Sequence, residues 1–401
     1  MYLNNLTLVN GTGLAACQMG PQLLHLKEET PEAVAKAATG FHCKDYLYLK
    51  LTGVRATDPT EGCCSFGDFR TRTYSDDVLH ALGLSAEKHL LPPMVDGTKE
   101  QHALTAEAAA ATGLPEGTPV ALGYLDVPCT AMGAGIYDPH SMPGCSIVGS
   151  TGIHMKLLRA EDVVLNEGRS GYAMVLPVAG WVALLQSNMA ATLNIDWILK
   201  TAAALLSDQG AGEGDFRTLL PHIDRWVADT EPGELIYHPY ISEAGERGPI
   251  VDGAASASFL GLSTRHGFPH MVRAVLEGLG YAARDCYEAT GGPPNELRLG
   301  GGAARSKTLR KILAAALDTP VRPSLREEMG AAGAAMIGAV GIGAYPSMDD
   351  CVKVWADPSV QDAEAPDPAL VERYAKMFPA YLQARKVMQP LWGAIAEARH
   401  G

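Results

Sequence analysis

One carboxylate, Asp126, occupies a position in the sequence that is typical of a catalytic residue. It ends the apolar run TPVALGYLD (118–126), which we interpret as a buried strand, and it precedes the small-residue helix VPCTAMGAG. Ligands of α/β folds bind at the carboxyl ends of strands, so this aspartate could accept the proton of a substrate hydroxyl whose oxygen attacks phosphorus. Asp is also one of the best helix N-cap residues. From spacing alone, the cap is the better interpretation.

The turn Gly149-Ser150-Thr151-Gly152 interrupts the strand-like run GCSIVGSTGIHMKLL. Its glycines permit unusual backbone angles, and its hydroxyl groups lie beside backbone amides. Such a set suits a phosphate, which needs several donors in a small concavity. A simple hairpin uses the same residues. Taken alone, these residues favour a simple hairpin over a phosphate site.

A second glycine cluster, Gly300-Gly301-Gly302, follows the strand-like run ELRLGG and leads into a helix that begins between Ala304 and Ser306. Three glycines let a ligand approach the backbone closely, and a helix N-terminus favours anionic or polar groups. A tight strand-to-helix connection is an equal alternative. We interpret the Gly/Ala-rich segment 327–345 as a helix packed closely on a neighbour.

Other nucleotide motifs have little support. G-T-G-L-A-A at 11–16 follows the strand-like run LTLV and resembles a dinucleotide fingerprint. The strand that should end in an acid about 20 residues later is replaced by a helix containing Glu28 and Glu29. A nicotinamide-dependent oxidoreductase therefore rests on these glycines alone. The sequence contains neither G-x-x-x-x-G-K-[ST] nor G-x-S-x-G, which disfavours a P-loop enzyme and a hydrolase.

The composition predicts a soluble, cytoplasmic protein of two domains. The chain has 401 residues, of which 47% are hydrophobic and 19% charged, and its net charge is −13. An acidic surface disfavours nucleic acid and anionic membranes as partners. There is no signal-peptide pattern and no apolar run near the length of a membrane span. No zinc-ligand spacing occurs, so we assign no metal-ligating residue, and we expect most of the thiols to be reduced and buried: Cys17, Cys43, Cys63, Cys64, Cys129, Cys145, Cys286 and Cys351.

The order of the predicted elements indicates an α/β fold with mixed sheets rather than a simple doubly wound fold. We predict a strand over LTLV (6–9), a helix from Ser75, and two antiparallel strand-like runs, GCSIVGSTGIHMKLL and YAMVLPVAGWVALL. The turn YDPHSMPG suggests a division into domains 1–138 and 139–401. Further helices are predicted over 190–206, 268–289, 306–317, 330–342 and 368–399.

Residues 257–277, ASFLGLSTRHGFPHMVRAVLE, resemble the second signature of the FGGY carbohydrate kinases: a small residue, an aromatic, Gly-Leu, then His-Met and Ala-Val-Leu-Glu. CKDYLYLKLTG with ATD at 56–58 is similar to the family's lysine-aspartate-tyrosine helix. YHPYISEAGERGPIVD (237–252) resembles its Gly-Glu-Arg-x-Pro segment with a later Asp, and GPQLLHLKEETPE (20–32) is a looser first signature. The resemblance covers nearly the whole chain.

The resemblance implies an actin-like, RNase H-like fold of two domains and ATP-dependent phosphorylation of a sugar or polyol hydroxyl, with Mg²⁺ on the phosphates. Asp126 matches the family's catalytic base and substrate contact. Glu328 and Gly330 match the start of its last nucleotide-side helix. The implied nucleotide contacts are Gly149, Ser150, Thr151 and Gly152 for phosphate, Gly300, Gly301, Gly302, Ala303 and Ser306 for adenosine, and Glu328 and Gly330 beside them.

One departure from the family pattern concerns the start of the chain. The strand-turn-strand with an acidic residue and Gly-Thr that opens family members, and that holds Mg²⁺ and phosphates, is not found before the middle region. We therefore expect an incomplete first domain, from a truncated product or a wrongly recorded start. A catalytically inactive remnant that still binds nucleotide is the alternative to an active kinase.

The substrate indications come from SNMAATLNIDW (187–197), GTGLAACQMGPQLL and FHCKDYLYLKLTG, which are most similar to erythritol kinases and related polyol kinases. Xylulose, ribulose and glycerol stay open as alternatives. The expected partners are ATP and a small sugar or polyol, and a homodimer is a further option.

Overall fold

The computed structural model describes residues 3–13, 18–168, 170–211 and 214–400. The chain forms two compact units. Unit 1 comprises residues 1–142, 156–185 and 326–359, and unit 2 comprises residues 143–155, 186–325 and 360–401. The chain passes from one unit to the other more than once, and the domain division at 1–138 and 139–401 stays a prediction.

The helices begin and end at clear local signals. Ser75, Ser306 and Ser347 each accept a hydrogen bond from a backbone N–H in the first turn of the helix that follows. The α-helices of the described residues are α1 (Leu3–Asn10), α2 (Met19–Glu29), α3 (Pro31–Lys36), α4 (Cys43–Thr52), α5 (Pro59–Phe66), α6 (Asp76–Ala81), α7 (Ala106–Thr112), α8 (Asp126–Gly133), α9 (Thr192–Asp208), α10 (Ile223–Ala228), α11 (Phe268–Glu288), α12 (Lys307–Leu317), α13 (Met329–Gly341), α14 (Met348–Trp355) and α15 (Pro368–His400).

Parallel and antiparallel pairs both occur, as the predicted mixed α/β class requires. In unit 1 the antiparallel pairs are β1–β2, β3–β4 and β7–β8. In unit 2, β9 and β10 are antiparallel, whereas β11 lies parallel to both β5 and β12. The strands are β1 (Gly67–Asp68), β2 (Thr73–Tyr74), β3 (Gln101–Ala103), β4 (Pro119–Ala121), β5 (Gly144–Val148), β6 (Gly152–Arg159), β7 (Tyr172–Val175), β8 (Trp181–Asn188), β9 (Ile236–His238), β10 (Ser258–Leu260), β11 (Leu297–Gly300) and β12 (Val321–Pro323).

Helix α11 forms the centre of the core of unit 2. Its residues from Val272 to Ala283 are buried, and a Cβ on Gly280 would lie 3.1 Å from both Ala316 Cβ and Ile312 Cγ2 of α12. Within the helix, Arg273 Nε donates to Glu277 Oε1 over 2.8 Å, so both buried charges are paired. The second-signature residues therefore build this core.

In unit 1, helix α13 packs closely on α8. A Cβ on Gly333 would lie 1.9 Å from the carbonyl oxygen of Cys129, and one on Gly133 would lie 2.0 Å from that of Met329. Only glycine allows the backbones to approach so closely. This confirms the close helix packing predicted for 327–345.

Two local predictions are wrong. LTLV is not a strand, because residues 6–9 lie within helix α1, whose Leu6 is buried in an apolar cluster with Leu79 and Leu84. The run 118–126 is not a single buried strand either, since β4 ends at Ala121 and, among the described residues, forms a two-stranded sheet with the short β3. In both places contacts with distant residues override the local apolar pattern.

The other predicted helices form within a few residues of their expected limits, as α6, α9, α11, α12, α13 and α15. Among the described residues there is no helix with both the length and the apolar character needed to cross a membrane. Seven cysteines are free thiols, and most of them are buried, as predicted; Cys17 lies outside the described residues.

Candidate functional site

The two glycine turns of unit 2 follow neighbouring parallel strands. Gly300, at the end of β11, is opposite Ile147 of β5. Because the carboxyl ends of parallel strands meet at one edge of a sheet, both turns leave the same edge, where α/β folds bind ligands. The structure therefore brings the two predicted turns together.

Gly301 is where the turns approach most closely. Its φ of +79° lies in the left-handed region, and a Cβ there would be 2.6 Å from the carbonyl oxygen of Val148. A side chain would be strained on both counts. Glycine at 301 therefore lets the second turn lie directly on the last residue of β5.

The first turn is held by the start of helix α9. The N–H of Ala191 donates to the Ser150 carbonyl over 2.7 Å. The N–H and the hydroxyl of Thr192 both donate to the Gly149 carbonyl over 2.9 Å. These bonds use carbonyl groups of the turn, while Ser150 and Thr151 are exposed. The turn is therefore fixed from behind and presents its hydroxyl groups to solvent.

The second turn borders a cavity within unit 2. Residues 302–305 form a single 3₁₀ turn, and the Ser306 hydroxyl then caps α12 by accepting from the Leu309 N–H over 3.2 Å. The cavity has a volume of about 500 Å³, and its walls include Gly302, Ala303 and Ser306. That volume lies in the range of small-molecule sites. The close backbone at Gly301 and the adjoining cavity fit a nucleotide.

Sequence reasoning missed part of this cavity. Thr192, Asp196, Asp224 and Arg305 also line it. Thr192 and Asp196 are four residues apart on α9 and so lie on one face of it; the segment SNMAATLNIDW, which contains both, is the signal that could have indicated them. Asp224 lies in a different part of the chain, and no sequence signal connects it to the glycine turns.

A buried polar network lies beneath the first turn. His154 Nδ1 is 2.8 Å from Ser146 Oγ, and His154 Nε2 is 3.2 Å from Asn188 Oδ1. A Cβ on Gly152 would lie 3.1 Å from that same Nε2. Burial lowers the pKa of His154 to about 4, although the Asn188 bond opposes this shift. The imidazole is therefore neutral and holds the base of the turn.

Asp126 is exposed and is the first residue of helix α8 in unit 1. Its Oδ1 accepts from the N–H of Val127 over 2.8 Å. The N-cap is Leu125, so the expectation that Asp126 is the cap is wrong by one residue. The expectation that it ends a buried strand is wrong as well, because β4 ends at Ala121.

Glu328 and Gly330 lie at the start of α13, also in unit 1. Glu328 is exposed, and a Cβ on Gly330 would lie 3.1 Å from Thr130 Oγ1 of α8. These two residues thus belong with the helix of Asp126. The structure does not place them in the unit that contains the glycine turns.

The lysine-aspartate-tyrosine helix, α4, carries a buried charge cluster in unit 1. Lys44 Nζ lies 2.5 Å from Asp58 Oδ2 and 2.7 Å from Asp45 Oδ1. Burial opposes ionisation of Asp45, but His42 and Lys44 outweigh it and lower the pKa of this carboxyl. Asp58 also caps α5 by accepting from the Thr60 N–H. Each of these charges has an opposite charge beside it, so the cluster leaves none of them buried without a partner.

Within the ranges that the structure describes, no group of three or more His, Cys, Asp or Glu side chains could hold a metal ion. A divalent cation bound here would need ligands from the phosphates of a nucleotide in addition to protein groups.

Comparison with known proteins identifies the class. The fold superposes on the ligand-bound xylulose kinase of Lactobacillus acidophilus with a TM-score of 0.86 and 21% identity, over 98% of this chain and 76% of that one. The fold is therefore that of two-domain sugar kinases with the actin-like ATPase architecture.

Sequence comparison goes further. Residues 1–133 match the N-terminal domain and residues 145–342 the C-terminal domain of the FGGY family of carbohydrate kinases. The chain is 53% identical to the erythritol kinase of Brucella abortus over 97% of its own length and 75% of that protein. It is 28% identical to the xylulose kinase of Bacillus subtilis over 90% of this chain and 69% of the relative. The chain belongs to the FGGY family of carbohydrate kinases, which phosphorylate sugars or polyols with ATP and Mg²⁺.

The buried His154 predicts a pH dependence of stability. Its folded-state pKa of about 4 lies below the ordinary value of 6.5, so the unfolded chain takes up a proton first as the pH falls. Stability should therefore be lost between pH 6.5 and 4, by about 3 kcal/mol at pH 4. Replacing His154→Gln should remove much of this loss, as measured by thermal midpoints from pH 7.5 to 4.

The matched control is His222→Gln, at an exposed position of unit 2, which should keep the wild-type slope. An unchanged slope in His154→Gln would show that His154 is not the group responsible.

Proposed function

We propose that this chain transfers the γ-phosphoryl group of ATP to a hydroxyl of erythritol or a closely similar small polyol. The observation that supports this choice of substrate is the 53% identity to an erythritol kinase over nearly the whole chain. The sequence identity to the xylulose kinase relative is much lower, at 28%.

The glycine turns of unit 2 are proposed to hold the nucleotide. Backbone amides and the exposed hydroxyl groups of Ser150 and Thr151 would donate to phosphate oxygens, as phosphate sites require several converging donors. Gly300 to Ala303 and Ser306 would border the adenosine in the adjoining cavity. Mg²⁺ on the phosphates supplies positive charge that offsets charge developing during transfer. Nucleotide contacts for Glu328 and Gly330 rest on the family pattern alone, because both lie in unit 1.

Asp126 is proposed as the general base. Its carboxylate would accept the proton of the attacking hydroxyl while the new O–P bond forms and ADP leaves with the electrons of the broken bond. Its exposure supports this role, because the carboxylate is open to a substrate in unit 1. The Val127 N–H donates to Oδ1 of this carboxylate over 2.8 Å, and among the described residues Oδ2 stays open to a substrate.

We further propose that the protein works in the cytoplasm, which its free thiols favour. The expected homodimer stays a prediction; light scattering would show twice the single-chain mass of 42.4 kDa.

A coupled kinase assay over erythritol, glycerol, xylulose and ribulose tests the substrate proposal. Erythritol should give the highest kcat/KM. A higher value for another substrate would overturn the substrate assignment. Binding of ATP without turnover of any substrate would favour the non-catalytic remnant. Stabilisation by NAD but not by ATP would favour an oxidoreductase, since a ligand at 100 times its Kd raises stability by about 2.7 kcal/mol.

Asp126→Asn should lower kcat by about 100-fold or more, because an amide cannot accept the proton. The Kd for ATP should stay within about twofold, as the nucleotide turns lie in unit 2. The matched control is Asp367→Asn, another exposed aspartate that accepts backbone N–H bonds at a helix start, and it should keep wild-type kcat. Weaker ATP binding with unchanged kcat would contradict the assignment of Asp126.

Gly301→Ala should weaken ATP binding by about tenfold or more, because the new Cβ would displace the turn from the Val148 carbonyl. The measurement is ATP titration by calorimetry. Gly291→Ala is the control: its φ is +90°, yet a Cβ there meets nothing within 4 Å. It should cost about 1–2 kcal/mol of stability and leave ATP affinity unchanged. Equal affinity in Gly301→Ala would show that this turn does not bind nucleotide.

A further inference from the structure

Glu246 is a buried carboxylate with no part in the mechanism above. It lies in the Gly-Glu-Arg-x-Pro segment of unit 2 and is 3% exposed. Its Oε1 accepts from the N–H groups of Met189 and Arg247, both over 2.8 Å. Its Oε2 is buried as well, and the Gly248 N–H also lowers the pKa of this carboxyl. A buried ionisable group of this kind costs desolvation energy, and such groups cluster at functional sites.

The Met189 contact leads directly to the first glycine turn. Met189 follows the last residue of β8, and two residues later Ala191 donates its N–H to the Ser150 carbonyl. Thr192 then donates twice to Gly149. The short segment 189–192 therefore has Glu246 at one end and the turn at the other. If the backbone of Met189 shifted, Ala191, two peptide units further on, would shift too and would displace the Ser150 carbonyl that it bonds.

The backbone of the segment that contains Glu246, residues 246–252, is also held in place. Glu246 and Asp252 exchange both backbone hydrogen bonds, each over 2.9 Å. A Cβ on Gly248 would lie 2.8 Å from the Ser187 carbonyl, and the Gly248 carbonyl accepts from Asn188 Nδ2. The carboxylate is thus carried by a hairpin that packs against the end of β8.

We propose that Glu246 is a positioning residue for nucleotide binding: by holding the Met189 N–H, it fixes the segment 189–192 and, through it, the Gly149–Gly152 turn. This inference rests on the proposed phosphate role of that turn. Burial raises the pKa of Glu246 to about 7 against the opposing N–H groups of Arg247 and Met189. Oε1 can accept the hydrogen bond from the Met189 N–H whether the carboxyl is ionised or protonated. An uncharged glutamine at this position should therefore accept the same hydrogen bond.

Two variants separate the acceptor from the charge. Glu246→Ala removes the acceptor and should raise the Kd for ADP by about tenfold, because the Met189 and Arg247 N–H groups lose a buried partner. Glu246→Gln keeps an acceptor oxygen and should stay within about twofold of wild type. The KM for polyol should change little in either variant. The measurements are ADP titration by calorimetry and steady-state kinetics.

Hydrogen exchange in the nucleotide-free protein gives a second readout. Segments 189–192 and 149–152 should exchange faster in Glu246→Ala and at the wild-type rate in Glu246→Gln. The matched control is Asp252→Ala, which removes a carboxylate of the same hairpin that accepts from the Ala254 N–H over 2.9 Å. It should leave both ADP affinity and exchange of these segments at wild-type values.

The outcomes distinguish the two proposals. If the wild-type protein binds no nucleotide, the proposed function fails, while the exchange measurement still tests Glu246. If nucleotide binds and Glu246→Ala matches wild type in both readouts, the positioning role is wrong. It is also wrong if Glu246→Gln is as weak as Glu246→Ala, or if Asp252→Ala weakens binding equally.

Discussion

The close approach of Gly301 to the carbonyl of Val148 is the constraint on which the candidate nucleotide site depends. Parallel pairing of β5 and β11 brings the ends of the two strands side by side. The left-handed glycine then lets the second turn fold onto the first strand, where any side chain would collide with the backbone. Both turns and the cavity beside them follow from this contact in unit 2.

The first turn, proposed as the phosphate site, is supported from behind. Hydrogen bonds from Ala191 and Thr192 occupy its carbonyl groups, and neutral His154 fills the space below Gly152. A phosphate is bound best by donors that are already in place, since ordering them on binding costs free energy. The proposed role of Glu246 adds one further contact to this support, the hydrogen bond from the Met189 N–H. In unit 1, the exposed Asp126, proposed as the general base, lies on helix α8, which packs closely on α13 through glycines.

Residues that match a family pattern differ in what they do. Arg273 and Glu277, within and at the end of the second signature, form a buried pair in the core of unit 2, and Lys44 of the lysine-aspartate-tyrosine helix forms ion pairs with two carboxylates in unit 1. Both motifs identify the family through residues that stabilise the fold. The second glycine turn, which has a weaker pattern, borders the cavity that is proposed to hold the nucleotide.

The sequence by itself determined the α/β class, most of the long helices, the family, and the two turns, because helix periodicity and runs of glycine are local properties of the chain. It could not place LTLV in a helix, end β4 at Ala121, or assign α13 to the unit of Asp126. Nor could it reveal that Asp224 lines the cavity of unit 2, that His154 lies against Gly152, or that Glu246 accepts from the Met189 N–H. These were decided by tertiary structure, because each depends on packing or hydrogen bonds between residues far apart in the chain, which no local pattern encodes.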